Sequence, residues 1–79
     1  MATLPTADEK GRRILDIYKH FGSKPGHVLQ NGNFVSVAAN KGYPVDEIAD
    51  GLEYAYDKGW VEDGPNQGHK LTESGFAEM

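Results

Sequence analysis

Apolar residues recur at helical spacing in the second half of the chain, between Gly42 and Gly59. Intervals of three and four residues separate them, which is the period of one helical face. They are Val45, Ile48, Ala49, Leu52, Ala55 and Tyr56. Pro44 is tolerated in a first helical turn, because its missing N–H would have no partner there. Gly59 suits the position just after a helix end, where the backbone often becomes left-handed. The spacing therefore predicts a helix over residues 44–58.

Two further helices are predicted upstream of this one. Thr6 and Glu9 form a capping-box pattern that starts a first helix over residues 7–21. The buried stripe of the first helix consists of Ile14, Ile17, Tyr18 and Phe21. Asn33 is a good N-cap for a second helix over residues 33–41. Its inward positions are Phe34, Val37 and Ala38.

A short hairpin is predicted after the third helix. Trp60 and Val61 are apolar and directly follow the predicted end of the third helix. This position favours a strand over residues 60–62 that turns back onto the helix. Residues 64–68 are rich in Gly, Pro and Asn and are typical of a hairpin loop, and a second strand over 69–71 follows them. Residues 27–29 are a candidate third strand that pairs with this hairpin. Residues 72–75 are expected to form a closing turn.

Length and composition indicate one small domain. A chain of 79 residues without cysteine predicts a single domain over 1–79, with residues 1–6 as a disordered tail, held together by its apolar core alone. The expected core consists of Ile14, Ile17, Tyr18, Phe21, Phe34, Val37, Ala38, Val45, Ile48, Leu52, Ala55, Trp60, Val61, Leu71 and Phe76. The first residues lack the pattern of a signal peptide, and no apolar stretch approaches the length of a membrane span. We therefore expect a cytoplasmic protein that does not contact a membrane.

Charge is unevenly distributed along the chain. Residues 1–43 carry six bases and three acids, for a charge of +3, whereas residues 44–79 carry two bases and nine acids, for a charge of −7. On the predicted third helix, the face away from the core holds Asp46, Glu47, Asp50, Glu53, Tyr54 and Asp57. The chain is thus a strong electrostatic dipole in sequence, with a net charge of −4.

Two motifs near the end of the chain resemble those of winged helix-turn-helix domains in small bacterial or phage regulators. They are Asp57-Lys58-Gly59-Trp60-Val61-Glu62, which has the "helix, Gly, strand" form, and Leu71-Thr72-Glu73-Ser74-Gly75. The resemblance covers the chain from Asp8 onward and implies an α+β fold, with three helices followed by a small antiparallel wing. It also implies a DNA-binding, transcription-regulator-like protein, in which the third helix enters the DNA major groove and the wing contacts the backbone.

Two hypotheses for the function remain open at the level of sequence. If double-stranded DNA is bound, the acidic third helix repels phosphates, so we expect the contacts to come from bases elsewhere. The candidate nucleic-acid-binding residues are Arg12, Arg13, Lys19, Lys24, Lys41, His69 and Lys70. Alternatively, the third helix binds a basic protein partner or a second copy of the chain through Asp46, Asp50, Glu53, Tyr54 and Asp57. Tyr54 has two interpretations, as a ring packed along the helix edge or as the anchor of an interface.

Patterns that would indicate catalysis are missing from the sequence. The three histidines are far apart and have no partner at metal-ligand spacing, and the chain has no phosphate-binding loop or dinucleotide fingerprint. Ser36 and Ser74 have no histidine nearby in the sequence that would indicate a nucleophile. We therefore expect no enzyme activity, no metal and no cofactor.

Overall fold

A computed structural model describes residues 6–79, which form four α-helices and a three-stranded antiparallel sheet. The helices are α1 (Ala7–His20), α2 (Asn31–Lys41), α3 (Val45–Asp57) and α4 (Glu73–Ala77), and the strands are β1 (Val28–Leu29), β2 (Val61–Asp63) and β3 (His69–Leu71). The disordered tail expected over residues 1–6 lies outside the described residues except for Thr6. Within residues 6–79, no helix combines the length and the apolar character that crossing a membrane requires.

The predicted N-cap of α1 is confirmed, and so is the left-handed Gly59 just after α3, whose φ is 73°, whereas the N-cap of α2 and the first residue of α3 are corrected. The Thr6 hydroxyl accepts a hydrogen bond from the Glu9 N–H at 3.1 Å, as the capping pattern predicts. Asn33 is not the N-cap of α2. The helix starts two residues earlier with Gln30 as its N-cap, and the Asn33 side chain accepts from the Gln30 N–H at 2.9 Å. An Asn side chain can cap from either position, which is why the sequence did not separate them. Pro44 is the N-cap of α3 and precedes its first turn.

The sheet joins the predicted hairpin to the candidate third strand. Its strand order is β1-β3-β2, with Val28 opposite Lys70 and Val61 opposite Leu71. Strand β2 starts one residue later than predicted. The loop of the hairpin turns through Asn66 and Gln67, whose φ angles of 56° and 61° are both left-handed. Two such residues in succession match the right-handed twist of the strands that they connect.

The closing turn expected over residues 72–75 is instead the start of helix α4. The Thr72 side chain accepts a hydrogen bond from the Gly75 N–H at 3.1 Å, which is the N-cap arrangement. The Thr72 hydroxyl is also 2.9 Å from the carbonyl oxygen of Trp60, to which it donates. Helix α4 is therefore attached to the residue that precedes β2.

The core lies between the helices and one face of the sheet, and three of its predicted members are exposed. Phe21 is 41% exposed, Val45 is 53% exposed and Phe76 is 45% exposed. Phe21 and Val45 lie at helix ends, and Phe76 lines an open groove beside α4. Leu52 is only half-buried. Two buried leucines were missed, Leu15 and Leu29. The other predicted core residues are confirmed, including Trp60.

Candidate interaction surfaces around the third helix

Helix α3 has a buried side, a side that faces α1 and an exposed side. Ile48, Gly51 and Ala55 are buried in the core. Glu47 and Tyr54 are half-buried against α1. The exposed side, called the outer face below, consists of Asp46, Ala49, Asp50, Glu53 and Asp57. The outer face is therefore acidic, as predicted, but it does not include Glu47 and Tyr54.

Two of the acids predicted on that face form ion pairs with bases of α1. The Lys10 ammonium lies 3.0 Å from the Asp50 carboxylate, and the Arg13 guanidinium donates to the Glu47 carboxylate. The Arg13 guanidinium also lies over the Tyr43 ring, 4.9 Å from its centre. The basic half of the sequence thus neutralises part of the acidic half within the same molecule.

Arg12 is also engaged inside the domain. Its guanidinium lies 3.0 Å from the Asp8 carboxylate and 3.4 Å from that of Glu78, and it covers the Trp60 ring at 5.4 Å from the ring centre. The hydrogen bond from the Tyr54 hydroxyl, followed by that from Arg12, lowers the pKa of Asp8, which keeps its carboxylate charged. A phosphate that recruited Arg12 would have to compete with these contacts.

Tyr54 does not lie on the outer face, so its predicted placement is wrong. Its hydroxyl donates to the Asp8 carboxylate at 3.0 Å, and its ring meets the Trp60 ring edge-on, with 5.5 Å between the centres. Gly11 makes this possible, because a Cβ atom at that position would overlap the Tyr54 ring. Tyr54 therefore holds α1 and α3 together, in agreement with the interpretation of a ring packed along the helix edge.

His69, expected as a basic residue of the wing, has both ring nitrogens occupied within the domain. Its Nδ1 atom is 2.6 Å from the Tyr56 hydroxyl and its Nε2 atom is 2.8 Å from Oδ1 of Asn31. The Tyr56 hydroxyl is also 3.1 Å from the Asp63 carboxylate. Burial lowers the pKa of His69, with Asp63 acting in the opposite direction, so the neutral ring is favoured. Burial also raises the pKa of Tyr56 to about 12. These partners are distant in sequence, and no local pattern indicated that they would meet.

The remaining predicted bases do not form one continuous surface. Lys70 lies 3.9 Å from Glu62 across the hairpin. Lys41 is exposed at the end of α2, whereas Lys19 and Lys24 are exposed and line a common groove beside α4. Within residues 6–79, Lys19, Lys24 and Lys41 form no ion pair within 4.0 Å.

Comparison with known proteins adds no further assignment. No family model matches the chain, and neither the characterised proteins nor the solved structures give a match. Among the described residues, no group of three or more His, Asp or Glu side chains is arranged to hold a metal ion. The candidate site therefore consists of the outer face of α3 and of the groove beside α4.

Proposed function

We propose that the chain is a winged-helix domain that binds a basic protein surface through the outer face of α3. The order of elements supports the fold, because the three helices α1, α2 and α3 are followed by the antiparallel hairpin of β2 and β3, as the resemblance implies. In such a domain the outer face of α3 is the surface that meets the ligand.

The charge of the outer face favours a basic protein surface over DNA as the ligand. The exposed positions Asp46, Glu53 and Asp57 have no ion pair within the described residues, and Asp50 is paired only with Lys10. Affinity for DNA comes largely from bases that neutralise phosphates, so carboxylates on the docking helix oppose it. Facing a basic protein surface, the same carboxylates accelerate association and select the partner.

DNA binding is the second candidate, supported by the same order of elements and by three unpaired lysines, Lys19, Lys24 and Lys41. In this mode the duplex contacts these lysines and not α3. Binding by so few cations is weak and falls steeply with salt concentration, since each phosphate contact releases counterions. Such a protein would act as a regulator only with help from other DNA contacts.

A pair of titrations separates the two candidates. The probes are a short arginine-rich peptide and a DNA duplex, each titrated at low and at moderate salt. The test variant is Glu53→Gln/Asp57→Asn, and the matched control is Glu9→Gln/Glu73→Gln, which removes the same charge from exposed positions elsewhere. We expect the test variant to lose most of the peptide affinity while the control retains it.

The duplex should bind neither wild type nor control at moderate salt. Equal loss of peptide affinity in the two variants would mean that net charge alone drives binding and would contradict the proposal. Duplex binding by the wild type that weakens in Lys19→Gln/Lys24→Gln/Lys41→Gln would instead establish the DNA candidate.

A further inference from the structure

A groove between the end of α1 and helix α4 combines exposed apolar surface with positive charge. Its volume is about 360 Å³, and it is lined by Lys19, Gly22, Ser23, Lys24, Phe76 and Met79. Phe76 is 45% exposed in this groove, although side chains of this kind are usually covered. Aromatic and Met side chains, framed by charged groups, are typical of protein interfaces.

The two lysines of this groove differ from the bases earlier in α1, because they are not used in ion pairs within the described residues. Lys10, Arg12 and Arg13 are all paired with carboxylates. Lys19 and Lys24, in contrast, have no carboxylate within 4.0 Å among residues 6–79. The groove is therefore suited to an acidic surface that also carries apolar side chains.

The outer face of α3 has this complementary composition. Its unpaired carboxylates belong to Asp46, Glu53 and Asp57, and the adjoining Val45 is 53% exposed. The outer face shares no residue with the groove. Helix α3 pairs with α1 through Lys10 and Arg13, whereas the segment after α4 pairs with α1 through Arg12. The two surfaces thus lie on different sides of α1, and one molecule can use both at once.

We propose that the groove receives the outer face of α3 from a second copy of the chain. This rests on the proposed function, because it identifies the basic protein surface as the groove of another copy. Carboxylates of the outer face meet Lys19 and Lys24, while Val45 and Ala49 supply an apolar counterpart to Phe76 and Met79. Since the two patches differ, two copies can exchange the contact reciprocally in a two-fold dimer, or the contact can repeat head-to-tail in a chain or ring.

Sedimentation velocity across a range of concentrations tests this contact. In about 20 mM NaCl, where charges are poorly screened, we expect the mean mass of the wild type to rise with concentration, and in about 500 mM NaCl we expect monomers. Lys19→Glu/Lys24→Glu reverses the charge of the groove, and Glu53→Lys/Asp57→Lys replaces two of the unpaired carboxylates of the outer face by ammonium groups. Each variant alone should stay monomeric at low salt, because like charges then face each other.

An equimolar mixture of the two variants should assemble again, since the acidic groove of the first variant meets the new lysines of the second. The unchanged outer face of the first variant also meets the unchanged groove of the second. Assembly in the mixture alone also shows that both variants are folded. A monomeric wild type and a monomeric mixture at low salt would overturn the proposal. If the arginine-rich peptide still binds through Glu53 and Asp57, the proposed function stands, and only the identification of the partner as a second copy is wrong. If that peptide also fails to bind, the proposed function is wrong as well.

Discussion

Trp60 connects helices α1 and α3 with the start of α4. Its ring is only 6% exposed, packs against Tyr54 and lies under the Arg12 guanidinium, while its carbonyl accepts hydrogen bonds from Thr72. Trp60→Ala should lower the free energy of unfolding by about 3–5 kcal/mol, since it removes a buried aromatic ring and leaves a cavity. That is a large part of the total free energy of unfolding of a domain of this size. Urea denaturation measures the change.

The matched control is Trp60→Phe, which keeps an aromatic ring against Tyr54 and should cost clearly less than the Ala variant. A loss below about 1 kcal/mol for Trp60→Ala is typical of a surface position and would contradict the packing described for the ring.

His69 should make the stability depend on pH. Burial lowers its pKa below the ordinary value of 6.5, so the unfolded chain binds a proton that the folded chain resists. The contribution of His69 is then complete above about pH 6.5 and is lost as the pH falls towards the lower folded-state pKa. The groups that face the ring are the Tyr56 hydroxyl and, through it, Asp63, together with Asn31.

Urea denaturation between pH 7.5 and about pH 5.5 checks this prediction. The wild type should lose stability towards acid, and His69→Gln should show a shallower slope. His20→Gln, at an exposed position of α1, is the control and should keep the wild-type slope. Equal slopes in His69→Gln and the wild type would show that His69 does not carry the effect.

At the scale of elements, the domain depends on the close approach of α1 and α3. Gly51 allows this approach, because a Cβ atom there would overlap the Lys10 carbonyl oxygen. Gly51→Ala should therefore destabilise by roughly 1–3 kcal/mol through overpacking, a loss that the better helix propensity of Ala offsets only in part. The matched control is Gly32→Ala in α2, where the added Cβ would meet no other part of the domain within 4 Å.

We expect Gly32→Ala to be neutral or to stabilise by up to about 1 kcal/mol. Thermal and urea denaturation of the two variants measure the contrast. Similar gains in stability at both positions would show that α1 and α3 can separate without cost.

At the scale of the whole molecule, part of the opposite charge of the two halves of the chain is paired within the domain. Arg13→Glu places a second acid beside Glu47 and should lower the free energy of unfolding by roughly 1–2 kcal/mol, about the value of a partly exposed pair lost and a repulsion gained. Lys24→Glu makes the same change of charge at an exposed position without an ion pair and should stay within about 0.5 kcal/mol of the wild type.

Urea denaturation at low salt and in about 500 mM NaCl measures this difference, which screening should reduce. If the two variants were equally stable at low salt, the contact between Arg13 and Glu47 would contribute nothing to the fold.

The sequence by itself determined most of the local structure. Periodicity and capping located α1 and α3 to within about one residue. The Gly-rich segment located the hairpin, and Trp60 was correctly expected in the core. These features depend on residues within four positions of one another, so they can be read along the chain. Errors of one or two residues arose where one side chain can cap from two positions, as at Asn33.

The tertiary structure alone decided how the charged and aromatic side chains are used. The sequence gives the direction of each side chain on a helix but not how much of the helix its neighbours cover. Tyr54, expected on the outer face beside Glu53, therefore lies in the contact with α1. Lys10 and Asp50 are 40 positions apart, and His69 and Asn31 are 38 apart. Ion pairs and hydrogen bonds depend on distance in space, so only the packed helices show that Arg12 and Arg13 are engaged while Lys19 and Lys24 remain free to bind within the described part of the chain.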